Sequence, residues 1–202
     1  MADLNGEAQQ AQMERYVLRN ARHLAADYMK RTIRPGDTVV DATMGNGKDT
    51  LFLAELVGET GRVHAFDVQA EAVERTRERV EEAGFVQRVS LHLAGHETMK
   101  EHVQPGIQAV MFNLGWLPGA QHAVTTLTET TLAAVQAACE LIAPGGIVTV
   151  CVYPGHDEGK KELSALDVWA AELPVRTYNV LRHHFVNAAL YTPQLFLIQK
   201  NS

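Results

Sequence analysis

The sequence predicts an α/β fold: a doubly wound, mostly parallel seven-stranded sheet with an antiparallel pair at one edge. Three observations carry that expectation. Apolar runs of strand length alternate with helix-period segments joined by short loops, the pattern of repeated βαβ units. A glycine-bearing loop separates the first Val-rich run from the helix after it. The last two apolar runs have only turn material between them, so they pair as antiparallel neighbours.

Taken in order, a helix is expected over residues 8–32, then a strand at DTVVDAT (37–43) and a helix from Asp49 to Val57. A strand at RVHAFDV (62–68) follows. The next helix, AEAVERTRERVEEA, puts Ala72, Val73, Thr76, Val80 and Ala83 on one face and stops at Gly84, where a left-handed cap is expected. RVSLHLA (88–94) is a strand, 96–102 a short irregular helix, and QAVMFNL (108–114) the fourth strand. A helix over 127–142 begins with Thr126 and Glu129 at capping-box spacing and ends before Pro144-Gly145-Gly146. GIVTVCVY (146–153) is apolar enough to be a central strand covered on both faces. A helix from Asp157 to Glu172 stops at Pro174, and VRTYNVLRH and QLFLIQK close the chain. The expected organisation is an N-terminal helical extension, 1–34, packed on a domain over 35–202, one domain overall.

A chain of 202 residues with 46% hydrophobic residues buries roughly 70% of its unfolded surface, so it folds without disulfides or metal. The N-terminal segment has no apolar run of signal-peptide kind, and the uncharged stretch from Val103 to Thr128 is broken by Pro105 and Pro118, which excludes a spanning helix. Cys139 and Cys151 stand at no metal or redox spacing and read as buried apolar side chains in a reducing cytoplasm. His92, His96, His183 and His184 do not share a helical face as zinc ligands would, and no metal is expected. The formal charge of −6 argues against a general nucleic-acid-binding surface. Residues 1–34 nevertheless carry +2. On the expected helix Arg15, Arg19 and Arg22 share a face, either as solvated decoration or as phosphate contacts.

The loop Asp41-Ala-Thr-Met-Gly-Asn-Gly47 marks a nucleotide-like cofactor site, where glycine lets backbone approach a ligand. A dinucleotide fingerprint needs a third glycine, and Thr50 stands there instead. A carboxylate at Asp41 would repel a pyrophosphate but accept from the amino group of S-adenosylmethionine. Thr43, Gly45, Asn46, Gly47, Asp49 and Thr50 are the candidate contacts around it. Asp67 ends the second strand, where it would accept from both ribose hydroxyls, with Gln69 beside it. His96 and Glu97, after the third strand, would meet the adenine edge or cap the next helix.

Phe112-Asn113-Leu-Gly-Trp116-Leu-Pro-Gly119 ends the fourth strand at the edge where such sheets bind ligands. Asn113 followed three residues later by Trp116 has the form [N/D]-x-x-[F/Y/W] used by amino-group methyltransferases. The Asn oxygen accepts amine hydrogens and leaves the lone pair aimed at a methyl carbon, beside the cofactor; the aromatic face stacks a base or meets developing positive charge. His156, after the fifth strand, is either a proton acceptor or the cap of the helix beginning at Asp157.

DATMGNGKDTLFLA (41–54), AFDVQ (65–69), GHET (95–98), FNLGWLPG (112–119), YPGHDEG (153–159) and the closing Asn187-x5-Pro193 together resemble the rRNA methylase family of bacterial class I methyltransferases, in the same order from about residue 20 to the end. The resemblance implies a Rossmann-like methyltransferase fold, S-adenosylmethionine as cofactor and a tRNA anticodon stem-loop as partner. Its implied reaction is N-methylation of the 5-aminomethyl group of wobble 5-aminomethyl-2-thiouridine to the 5-methylaminomethyl form. Lys48 stands where many members have His, and Trp116 where Tyr is usual. An rRNA base and a small-molecule amine are the alternative acceptors. A homodimer is compatible with the sequence, which does not decide it.

Overall fold

The computed structural model describes residues 17–115, 127–189 and 191–202. Helix α1 is Ala21–Thr32, followed by β1 Thr38–Asp41, α2 Lys48–Val57, β2 Arg62–Asp67, α3 Ala70–Glu82 and β3 Val89–Leu93. A 3₁₀ turn at His96–Glu101 leads to β4 Ile107–Asn113, α4 Thr128–Leu141, β5 Ile142–Val152, α5 Asp157–Ala171, β6 Tyr178–His183 and β7 Gln194–Lys200. The seven strands lie in the order β3-β2-β1-β4-β5-β7-β6. β1 to β5 run parallel, whereas β7 is antiparallel to both β5 and β6. This is the doubly wound sheet that the βαβ alternation predicts, and its edge pair is antiparallel, joined through residues 184–193 with no crossover helix among the described residues.

Side chains alternate across the sheet and divide the core in two. On one face Val110, Phe112, Val148 and Val150 pack beneath α4 and α5, against Ala134, Val135, Ala138 and Leu166. On the other, Ala109, Met111, Ile147 and Cys151 pack against Leu24, Ala25 and Met29 of α1 and Leu53, Ala54 and Val57 of α2. Helix α1 thus forms part of one core layer, and both cysteines are buried free thiols. Among the described residues no helix is long and apolar enough to cross a membrane.

Three local expectations change. The first helix does not run through residues 17–20: Asn20 is extended, and its side chain accepts the His23 N–H, so α1 begins there. Ala83 is exposed because α3 ends at Glu82; Gly84 takes φ +72°, and the Phe85 N–H returns to Val80 O at 2.9 Å in a Schellman closure. At α4 the N-cap falls one residue later than the capping-box spacing predicts. Thr126 lies outside the described residues, Leu127 is the N-cap, and the Thr128 N–H and Oγ1 donate instead to Glu158 Oε1 of α5 at 3.1 and 2.8 Å.

The outer strands carry a histidine stack. His64 Nδ1 lies 3.0 Å from His92 Nε2, and His92 stacks on Phe66 with centroids 4.5 Å apart while His102 tilts against it. Burial, reinforced by the neighbouring imidazoles, pushes His92 down to about 4 from 6.5, and burial also lowers His64. A depressed histidine contributes stability in full above its ordinary value, and that contribution is lost as pH falls toward the depressed one. Urea unfolding of the parent should therefore weaken between pH 7 and pH 4 more steeply than that of His92→Phe, which keeps the stacked ring; equal pH slopes would remove the stack as the cause.

Candidate active site

Strand β1 ends on Asp41, 1% exposed, paired in register with Met111 of β4. Strand β4 runs two residues further, so Asn113 overhangs the crevice where the chain reverses direction between β1 and β4. Its backbone N–H has no β1 carbonyl to meet and donates to Thr43 Oγ1 at 2.8 Å. Thr43 is held in turn by Asp41, whose Oδ1 accepts the Thr43 N–H at 3.1 Å and whose Oδ2 accepts the Thr50 hydroxyl at 2.6 Å. Gly45 and Gly47 both take positive φ, +49° and +75°. A Cβ on Gly47 would sit 2.9 Å from Thr76 Oγ1, the hydroxyl that donates to Gly45 O. The Gly45 N–H reaches Asp67 Oδ2 at 3.0 Å, and the Gln69 N–H reaches Asp67 Oδ1 at 2.9 Å.

Around this loop lies a cavity of about 660 Å³, within the range of small-ligand sites. Thr43, Gly45, Asn46, Asp49, Asp67 and Gln69 line it, joined by His96, Glu97, Asn113 and His156. Asp41, Gly47 and Thr50 do not. Asp41, 1% exposed and outside the lining, is therefore corrected from a cofactor contact to the buried support of the loop, and Asp49, the second residue of α2, is a carboxylate that faces the cavity alongside Asp67 and Glu97. Burial, together with the Asp49 charge, pushes the Asp41 carboxyl up to about 7.

The two cavity histidines present opposite chemistry. His96 Nδ1 lies 3.2 Å from the carbonyl of Ala42; a carbonyl only accepts, so Nδ1 carries the hydrogen and Nε2 is left as an acceptor. Burial lowers the proton affinity of His96 and keeps the ring neutral. His156 Nδ1 accepts the Gly159 N–H at 3.1 Å as the N-cap of α5, which leaves Nε2 as its N–H donor. Of its two expected roles the geometry displays the cap, and the proton-acceptor role loses Nδ1. Glu97 makes no capping bond; its carboxylate folds over Gly95, where a Cβ would come within 2.5 Å of it.

The arginine face is also corrected. Because α1 starts after Asn20, Arg19 and Arg22 do not continue one helix from Arg15, which lies outside the described residues. Arg19 pairs with both oxygens of Asp27 at 2.7 and 2.8 Å, and Arg22 pairs with Asp49 at 2.7 Å. Both arginines are paired within the protein, with 21% of the Arg19 side chain and 43% of the Arg22 side chain exposed. Trp116 lies outside the described residues. Among the described residues no group of His, Cys, Asp or Glu is arranged to hold a metal. Tyr153 and Arg22 line the cavity and were missed as site residues. The signal for Tyr153 is its place two residues beyond Cys151, the register partner of Asn113, which puts both on one face.

The walls suit an adenosyl sulfonium ligand by their donor set: a carboxylate for sugar hydroxyls at Asp67, a second near the loop at Asp49, and apolar surface from Met44, Phe66 and Leu114. A seven-stranded sheet of this order, with its cavity at the β1/β4 crevice, defines a class I methyltransferase. A family model described as "Putative rRNA methylase" matches residues 63–199. A chloroplastic tRNA (mnm(5)s(2)U34)-methyltransferase of Arabidopsis thaliana is 34% identical over 194 residues, which is 91% of this chain and 71% of that protein. The crystal structure of a putative rRNA-methylase from Clostridium thermocellum superposes with a TM-score of 0.89 at 40% identity, covering 92% of this chain and all of that one. A putative methyltransferase from Streptococcus mutans, in complex with SAH, gives 0.83 at 35% identity over 91% and 99% of the two chains. The chain belongs to the rRNA methylase family of S-adenosylmethionine-dependent methyltransferases.

The raised Asp41 carboxyl gives a signed prediction. A carboxyl whose folded value exceeds its ordinary 3.8 contributes stability that is complete below 3.8 and lost as pH rises through about 7. The stability of Asp41→Asn relative to the parent should rise across that window, measured by urea denaturation at pH 4.5 and 7.5. A difference independent of pH would mean that Asp41 does not take up its proton there.

Proposed function

We propose that this protein is a tRNA methyltransferase that N-methylates the 5-aminomethyl group of wobble 5-aminomethyl-2-thiouridine, with the anticodon stem-loop as its partner in a reducing, cytoplasmic setting. The observation that carries the reading is Asn113, at the end of β4 on the cavity wall, with its carboxamide oxygen able to accept from an amine. The Arabidopsis relative, named for the same wobble nucleoside, supports it. Helix α1 and the sheet it packs on act as one domain in this reading.

The chain's own residues position and orient. Asp67 accepts from the sugar of the cofactor, with Gln69, Gly45 and Asn46 around it; His96 offers a neutral acceptor and Glu97 a carboxylate at the adenine end. S-adenosylmethionine, when bound, supplies a methyl group on a sulfonium sulfur: the amine lone pair forms the N–C bond while the C–S bonding pair returns to sulfur. Asn113 holds the amine in line, and Trp116, three residues on, stacks the base. An alkylamine is mostly protonated at neutral pH, so a proton leaves to water before attack.

Purified protein incubated with S-adenosylmethionine and tRNA rich in 5-aminomethyl-2-thiouridine should add one methyl group to that nucleoside, read by nucleoside mass spectrometry. Methylation of rRNA or of free amines, with the tRNA unchanged, would overturn the assignment. Asn113→Ala should lower the single-turnover rate at least a hundredfold, about 2.7 kcal/mol of transition-state stabilisation, while calorimetric cofactor affinity stays near that of the parent. An unchanged rate would make the Asn113 turn merely structural.

A further inference from the structure

The Asn113 carboxamide is gripped at both ends, and each grip decides something different. Asp49 Oδ2 takes the Nδ2 hydrogen at 3.2 Å. A carboxylate only accepts, so this contact fixes which end of the amide is nitrogen. Oδ1 then faces Tyr153, whose hydroxyl donates to it at 2.6 Å. An amide oxygen has two lone pairs; Tyr153 occupies one and leaves the second for another donor. Asp49 is itself held by Arg22, with Nη2 2.7 Å from Oδ1.

We propose that Arg22 and Tyr153 are positioning residues for methyl transfer: Arg22 fixes Asp49, Asp49 and Tyr153 pin the two ends of the Asn113 carboxamide, and the remaining Oδ1 lone pair is thereby aimed at the acceptor amine. The inference rests on the reading of Asn113 given above and deepens it. Without the grip, rotation about the last side-chain torsion would turn Nδ2 toward the amine, and two hydrogen-bond donors would meet. Turning the amide while Asp49 stays in place would set Oδ1 against a carboxylate, which is repulsive in a part-buried setting. The grip therefore selects one of two nearly isosteric arrangements, and only that one accepts from an amine.

The four residues come from four elements or their ends. Arg22 is on α1, Asp49 on α2, Asn113 ends β4, and Tyr153 follows β5. The parallel register brings Asn113 opposite Cys151, and a two-residue period puts Tyr153 on the same face, beneath α1 and α2. Burial, with smaller contributions from neighbouring charges, lifts the Tyr153 hydroxyl to about 12, so at neutral pH it donates and does not take the amine's proton. The relay also gives α1 a use beyond packing. Its arginine, part of it still exposed, reaches Asp49 on α2.

The test is a double-mutant cycle in single-turnover methylation of tRNA carrying 5-aminomethyl-2-thiouridine, at saturating S-adenosylmethionine, with cofactor affinity measured by calorimetry. Tyr153→Phe removes one hydroxyl and keeps the ring. It should slow methyl transfer roughly tenfold or more, leave cofactor affinity within about twofold, and have no further effect in an Asn113→Ala background. Arg22→Gln should likewise slow methyl transfer at saturating S-adenosylmethionine, with no further effect in an Asn113→Ala background, and it keeps the inference testable should Tyr153→Phe fold poorly. Folded Tyr153→Phe at the parent rate, or an equal slowing with and without Asn113, would overturn the relay. Parent rates in Asn113→Ala itself would overturn the functional reading beneath it. Loss in Asn113→Ala beside full activity in Tyr153→Phe and Arg22→Gln would overturn the relay alone.

Discussion

A carboxyl group sealed beneath the end of β1 carries the rest of the site. Asp41 accepts from Thr43 and Thr50, and those two bonds set the turn that opens the cavity. Thr43 then accepts the Asn113 N–H, so the overhanging end of β4 is fixed to the same loop. Each bond is worth about 0.5–1.5 kcal/mol net, but the groups are buried, and leaving either unmet costs about 1–3 kcal/mol. The sheet's crevice would exist without Asp41. What Asp41 adds is the Thr43 anchor on the Asn113 N–H.

Much of this architecture is written locally in the chain. The alternation of Val39-Val40 and of Ala109 to Phe112 predicts strands, Gly45 and Gly47 announce the loop, and the missing helix before Gln194 predicts the antiparallel edge. What misled was tertiary. Asp41 looks like a ligand because a strand-end acid beside a glycine loop faces the cavity in many sheets; here its side chain turns inward, and the next acid on the helix, Asp49, takes the open side. Arg15, Arg19 and Arg22 have helical spacing, but Asn20 offers the backbone a better partner than another helical turn would, and the series breaks there. Thr126 and Glu129 have capping-box spacing, yet the N-cap falls one residue later, at Leu127, and Glu158 reaches across from α5 to the Thr128 N–H.

Tyr153 shows a different limit. Its link to Asn113 joins residues forty positions apart, and only the register of β4 against β5 brings them to one face. That register depends on how the chain leaves α4 through Pro144, Gly145 and Gly146, where the pairing shifts between Ile107 and Ala109. A residue-by-residue reading finds Asn113 because a short motif surrounds it. It does not find the hydroxyl that orients it. The same holds for Arg22, whose partner lies twenty-seven residues away on another helix.

The cavity, with carboxylates set among apolar walls, fits the proposed reaction, in which affinity and chemistry would reside in different groups: carboxylates and backbone for the cofactor, one oriented amide for the amine. The most direct measurement is a crystal structure of the protein with SAH and an anticodon stem-loop bearing 5-aminomethyl-2-thiouridine. The account predicts the amine within hydrogen-bond distance of Asn113 Oδ1, with the Tyr153 hydroxyl still bound to the same oxygen and Asp49 on Nδ2. An amine held instead by Glu97 or Asp49, with Asn113 turned away, would contradict it.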